Sequence, residues 1–278
     1  MNNSQYFGDF IRGLGYEPIS DITPDKWIRF GRKQSVSARL FPDGQGGYLH
    51  DWRTDEKHFW FAQDRKSLSP QERTSRQQEI DRIKTAEEAR QALTHKKAAT
   101  QAKELFMSAS DALESHSYLF KKKVKPYGIR QQGNSLLIPV CSVQGDYQSI
   151  QFINESGDKR FLKGGKTKGG CHFIGLLKMD SPIYIAEGYA TAVSIYEDTQ
   201  CLTIVAFNAS NLVHVAVELK KHLPNVQIVI AGDSDTVGRT YAIKAAQQVH
   251  GTTLIPDFGD NPNGLSDWND YFNQGVNV

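Results

Sequence analysis

The run Ile183-Tyr184-Ile185-Ala186-Glu187-Gly188-Tyr189-Ala190-Thr191-Ala192 decides the fold. An apolar, β-branched stretch ends in an acid and a glycine, and a helical pattern begins at once. Farther along, Gly232-Asp233-Ser234-Asp235-Thr236-Val237-Gly238-Arg239 follows a second apolar run in the same way. An open α/β sheet gathers its active site at the carboxyl ends of parallel strands, which is where these acids then fall. Asp233 and Asp235 are two residues apart, so an extended backbone points both carboxylates the same way and a hard cation with oxygen ligands can bridge them. The spacing suits magnesium.

Outward from Ile183 the alternation is regular: strand 183–186, helix from about 189, strand 202–207, helix from about 210 to 222, strand 226–231, helix from about 238 to 249, strand 252–255. This predicts a Rossmann-like parallel sheet with right-handed crossovers. Glu187 closes the first strand and Asp233 with Asp235 the third, and a doubly wound sheet brings them together. Each acid keeps a second reading, since Asp at a strand-to-helix junction often serves as a helix N-cap. Glu187 acts either as a cation ligand or as a base. Gly188 is read as easing the turn into the helix.

Before this part, Ser135–Val143 and Tyr147–Asn154 read as strands joined at Gly145-Asp146, with a third short strand around Arg160-Phe161-Leu162 after Ser156-Gly157-Asp158. The expectation is a small antiparallel subdomain, residues 118–180, ahead of the sheet at 181–278. Cations collect in Lys121-Lys122-Lys123-Val124-Lys125 and in Lys159, Arg160, Lys163, Lys166 and Lys168. Such runs are usually a solvated face, but beside an acidic cluster they can hold phosphates. Arg239 either meets a phosphate or pairs with an acid. Lys163-Gly164-Gly165-Lys166-Thr167 invites comparison with a Walker A loop, yet that pattern requires Gly where Arg160 stands and a helix where Gly169-Gly170 follow. It reads instead as a basic, glycine-rich loop.

Residues 1–64, with Trp27-Ile28-Arg29-Phe30, Gly47–Trp52 and turns at Pro42-Asp43-Gly44 and Gly46-Gly47, read as a β-rich module. Its aromatics lie beside Arg29, Arg32, Lys33, Arg39 and Arg53, and either fill a small core or stack on unpaired bases. Residues 65–117 turn to Gln, Glu, Arg, Lys and Ala. Ser69, Pro70 and Glu72 mark a helix start, and the reading is a long exposed linker helix, broken near Thr94-His95, without a sustained heptad.

Taken together, Gln151-Phe152-Ile153-Asn154, Lys159-Arg160-Phe161-Leu162-Lys163-Gly164-Gly165, Glu187-Gly188 and Asp233-x-Asp235-x-x-Gly238-Arg239 resemble the Toprim domain of primases, topoisomerases and some nucleases, over roughly Tyr118 to Phe272. Glu187-Gly188-Tyr189-Ala190-Thr191-Ala192 is similar to the alpha-type primases of phage satellites and mobile plasmids. The resemblance implies a DNA primase: metal-dependent nucleotidyl transfer with Mg2+ or Mn2+, single-stranded DNA template, nucleoside triphosphates, and a separate replicative helicase as partner. It implies Glu187, Asp233 and Asp235 as catalytic metal ligands, and Arg160, Lys163, Lys166, Lys168 and Arg239 as contacts to nucleic acid or nucleotide. Asp267 and Asp270, in Leu265-Ser266-Asp267-Trp268-Asn269-Asp270, resemble a late acidic motif of related primases; there Asp267 adds a second cation site or caps the final short helix. Thr191 stands where replicative primases place an Asp, which leaves the number of cations open.

Composition limits the alternatives. No apolar run approaches the roughly 20 residues of a membrane span, and the first residues lack a signal-peptide pattern, so a cytoplasmic protein without membrane contact is expected. Cys141, Cys171 and Cys201 form no Cys-x-x-Cys pair, against both a disulfide framework and the zinc module common in bacterial replicative primases. A net charge of +2 says nothing by itself about nucleic acid. Two other classes stand beside the primase: a Toprim nuclease using the same acids, and a non-catalytic single-strand-binding module. A topoisomerase is disfavoured because no large strand-passage domain fits.

Overall fold

The computed structural model describes residues 2–18, 21–51, 56–62, 69–259 and 264–273. Trp52, Arg53 and the expected boundary at 64/65 lie outside the described residues, as do the side chains of Lys33 and Glu72. The chain divides into two compact units, Met1–Glu87 and Glu88–Val278.

In the first unit, α1 (Asn3–Gly13) precedes β1 (Trp27–Phe30), β2 (Val36–Leu40), β3 (Gly46–Asp51) and β4 (Glu56–Phe61), an antiparallel sheet in that order. The sequence reading contained the strands and missed the helix. Its signal is a capping box, in which Asn2 and Gln5 each accept from the other's backbone N–H. Phe7 and Ile11, four apart, are fully buried and pack with Phe30, Val36, Leu40 and Leu49; each such burial is worth roughly 1.5–3 kcal/mol. A Cβ at Gly47 would sit 2.5 Å from the Phe7 ring, so the helix seats on the sheet only because that position is glycine. Most aromatics of this unit therefore build its core, while Trp27 stays 39% exposed.

The helix α2 (Pro70–Ser108) runs unbroken through Thr94-His95, correcting the expected interruption. Thr94 is accommodated because its hydroxyl donates to the Arg90 carbonyl at 2.9 Å. Among its described side chains Ala98 and Ala102 are buried, and Ala102 packs with Leu137 and Ile150.

The second unit holds two sheets. The first is antiparallel, in the order β5 (Ser110–Asp111), β6 (Arg130–Gln132), β7 (Ser135–Cys141), β8 (Tyr147–Asn154), β9 (Lys159–Phe161), with α3 (Ser117–Lys122) between β5 and β6. The second contains β10 (His172–Ile174), β11 (Ile183–Ala186), β12 (Thr203–Val205), β13 (Ile228–Ala231) and β14 (Thr252–Leu254), ordered β10-β12-β11-β13-β14. Between its strands lie α4 (Tyr189–Thr199), α5 (Ala209–His222) and α6 (Thr236–Val249); α7 (Trp268–Asn273) comes last. The four strands expected to be parallel are parallel. The edge strand β10, which the sequence reading did not anticipate, is antiparallel to β12. A backbone bridge joins the sheets: Cys141 N–H donates to Cys171 O at 2.7 Å and Cys171 N–H returns to Cys141 O at 2.8 Å.

Strand periodicity sorts the core. Ile183, Ile185, Ile228 and Ile230 face α5 and α6, while Ala186 and Ala231 face the cluster built on α4, β7 and α3. The connection from β11 runs to β12 on one side, whereas β13 and β14 lie on the other. The strand order therefore reverses between β11 and β13, the crevice where an open α/β sheet binds ligands.

Candidate active site

A pocket of about 300 Å³ opens at this crevice, lined by Glu187, Gly188, Thr191, Asp233 and Asp267 on one side and by Tyr118, Lys121, Lys122 and Lys159 on the other. Glu187 leaves the end of β11 and accepts a hydrogen bond from the Ala209 N–H at the start of α5. That bond and Lys159 favour its charged form, but burial and Asp235 outweigh them and raise its pKa. Gly188 begins α4 with φ −103°, a conformation open to any residue, and a Cβ there would meet only ordinary contacts. The turn thus does not require glycine, contrary to the sequence reading.

Asp233 is the most perturbed acid. Its Oδ1 is buried without a hydrogen-bond partner, and burial, followed by Glu187, Asp267 and Asp235, pushes its pKa up to about 7 against the pull of Lys159. Close packing of α6 holds it there: a Cβ at Gly238 would lie 2.8 Å from the Asp233 carbonyl oxygen and 2.9 Å from its Cβ. Asp235 has a different place. It is the exposed N-cap of α6, its Oδ1 accepting from Gly238 N–H at 2.7 Å, and it does not line the pocket.

Asp267 both caps and faces the pocket. Its Oδ1 accepts from the Asp270 N–H at 2.8 Å, and its other oxygen lies 3.7 Å from the Lys122 ammonium, which also approaches Asp270 at 3.4 Å. Ser234 N–H to Ser266 O, 2.7 Å, ties this segment to the turn after β13. Tyr118, which sequence reasoning did not select, completes the wall; burial and then Asp267 push its phenol up to about 12.

Of the basic residues, the ones reaching the pocket are Lys121, Lys122 and Lys159. Lys159 is exposed taken as a whole residue, but its ammonium end sits among the acids, where burial and then Lys122 lower its pKa while Glu187, Asp267 and Asp233 act oppositely. Alternation along β9 turns the next residue away: Arg160 lies over the Phe152 ring, 5.2 Å from its centroid, on the other face of the sheet. Lys163, Lys166 and Lys168 are exposed on the loop after β9 and do not line the pocket. That loop is clamped by the buried amide of Asn211, whose Oδ1 accepts from Gly169 N–H at 2.7 Å and whose Nδ2 meets the carbonyls of Gly170 and Ala206 at 2.9 and 2.8 Å. Arg239 is exposed, its Nε donating to Ser234 O at 2.7 Å.

The donor set suits a hard cation, which prefers carboxylate oxygens and keeps several waters. The partnerless Oδ1 of Asp233, in a pocket shared with Glu187 and Asp267, is the observation in favour. Among the described residues, no group of three or more acid, His or Cys side chains is arranged to hold a metal ion.

Residues 182–277 match the Toprim domain family. Over 268 residues, 90% of this chain, the sequence is 31% identical to a DNA primase TraC of Escherichia coli, and over 140 residues, 46% of this chain, it is 35% identical to another protein of that name from the same organism. The chain spans 25% of the length of the first and 10% of the second. The primase fragment of the bacteriophage T7 primase-helicase protein superposes with a TM-score of 0.44 at 16% identity, covering 60% of this chain and 75% of that one. Sheet topology alone is shared by many α/β proteins, and here the sequence narrows them: residues 182–277 are similar to the Toprim domain family.

Proposed function

We propose that this chain is the catalytic part of a DNA primase, making short primers on single-stranded DNA by metal-dependent nucleotidyl transfer from nucleoside triphosphates. The observation that carries the reading is Asp233: a buried carboxylate oxygen without a partner, facing two further acids and three lysines in one pocket. Similarity to one DNA primase TraC over 90% of the chain supports it.

In this reading Glu187, Asp233 and Asp267 hold Mg2+ or Mn2+ from the sheet side. A cation held there would lower the pKa of the attacking hydroxyl and offset the charge that builds on the leaving pyrophosphate. Asp235 acts through its cap, keeping the first turn of α6 and with it Asp233 in position. Lys122 and Lys159 meet the triphosphate, and the lowered pKa of Lys159 makes its charge dependent on the acids around it. Lys163, Lys166, Lys168, Arg160 and Arg239 contact template phosphates outside the pocket. Residues 1–64 serve template binding or partner contact. The wider role, replication of a mobile element in the cytoplasm with a separate helicase, accords with the TraC likeness; among the described residues no helix is long and apolar enough to cross a membrane.

The test is incubation with circular single-stranded DNA, labelled nucleoside triphosphates and Mg2+ or Mn2+. New oligonucleotides support the primase. Nicking of the circle without synthesis would replace it by the nuclease reading, and strand binding with neither would leave only the binding module.

A further inference from the structure

One exposed side chain next to residues that line the pocket has no structural occupation. In α3, Tyr118 and Leu119 are buried and Lys121 and Lys122 line the pocket, while Phe120 between them is 78% exposed. The end of this helix is rigidly made: Val124 N–H donates to Leu119 O at 3.1 Å, Lys123 N–H donates to Phe120 O at 3.1 Å, and Leu119 and Val124 share one apolar cluster. Lys123 occupies the left-handed position of that motif, φ 52°, where glycine fits without strain. A lysine thus occupies a site that favours glycine, next to an exposed phenyl ring. Lys121 and Lys123 are both exposed. An exposed aromatic beside exposed cations is the combination by which single strands are bound without sequence preference.

We propose that Phe120 is a stacking platform for a base of single-stranded nucleic acid whose phosphates are held by Lys121 and Lys123, at the entrance to the acidic pocket. The assignment rests on the primase reading for its occupant, the template strand, but its test needs neither catalysis nor cation.

Fluorescence anisotropy in EDTA compares a labelled oligothymidylate with a strand of the same length carrying abasic residues. Phe120→Ala weakens binding to the thymidylate strand on the order of 5- to 100-fold, the range of one base–aromatic stack, and leaves the abasic strand unaffected. Phe120→Trp keeps the affinity. The double variant Lys121→Gln with Lys123→Gln flattens the salt dependence of both strands by roughly 0.7 for each phosphate no longer neutralised, whereas Phe120→Ala leaves that slope as it was. Equal binding by Phe120→Ala, equal losses on both strands, or no strand binding by the unaltered protein would each overturn the proposal; equal losses would mark Phe120 as a docking point for protein. Strand binding that depends on Phe120 in a protein that synthesises no primers would refute the primase and leave the stacking site standing.

Discussion

Replacing Asp233 by Asn should make the cation-free protein more stable, and more so as pH rises. The folded carboxyl titrates near 7 and an ordinary one at 3.8. Below 3.8 both folded and unfolded chains hold the proton and the group contributes nothing to the difference. As pH rises through 3.8 the unfolded chain releases its proton while the folded chain retains it until about 7, so folding becomes steadily less favourable. The interval is about three pH units, each worth about 1.36 kcal/mol, or about 4 kcal/mol in all. That is an upper figure, since part of the shift comes from neighbouring acids that can relax. Urea unfolding with EDTA at pH 4, 5.5 and 7.5 measures the effect. Asp233→Asn should match the unaltered protein at pH 4 and exceed it by a few kcal/mol at pH 7.5, and saturating magnesium should narrow that gap. A variant less stable at pH 7.5, or a difference that does not change with pH, would show that Asp233 is not held against its charge.

Glu187→Gln should abolish primer synthesis with an unchanged circular dichroism spectrum, because it removes one charge from the pocket at nearly constant volume; near-normal synthesis would exclude Glu187 from the chemistry. Neutralising Lys163, Lys166 and Lys168 together should weaken single-strand binding for every sequence and flatten the salt slope by roughly 0.7 per phosphate released, and an unchanged slope would make these lysines a solvated face. His172, buried with its ring 3.1 Å from the Tyr127 carbonyl oxygen, has its pKa pushed down to about 4 by burial. Its contribution is complete above 6.5 and is lost as pH falls toward 4, about 3 kcal/mol in all. His172→Gln should remove that slope in urea titrations; because Asp233 acts in the opposite sense over the same range, the variants and not the unaltered curve carry the information.

The sheet was legible because β11 and β13 are continuous β-branched runs that end abruptly in acid and glycine, and such runs alternating with helical patterns leave few other folds. The edge strand β10 was not: three residues after Gly169-Gly170 give no periodicity, and their pairing to β12 is decided by the tertiary fold. The helix α1 was hidden in a polar opening segment whose Asn2 and Gln5 signal lies three residues apart. At the site, Asp235 and Asp233 carry the same sequence signal, yet the short backbone after β13 gives one to a helix cap and the other to the pocket. Lys159 and Arg160 are adjacent cations, separated in role only by strand alternation. Tyr118 and Lys122 reach the acids from some 65 to 150 residues away in the chain, a convergence that no local pattern encodes.

The first turn of α5 is a shared mounting. Its Ala209 N–H holds the Glu187 carboxylate, and two residues on, the Asn211 amide grips the loop that carries Lys163, Lys166 and Lys168. These are parts that the sequence separates by 19 to 24 residues. A pull on the loop, such as a strand lying across its lysines would exert, must either break the buried bonds of Asn211 or be transmitted through one helical turn to the acid at the end of β11. The chain thus has a short mechanical path from the surface loop through one helical turn to the carboxylate at the end of β11.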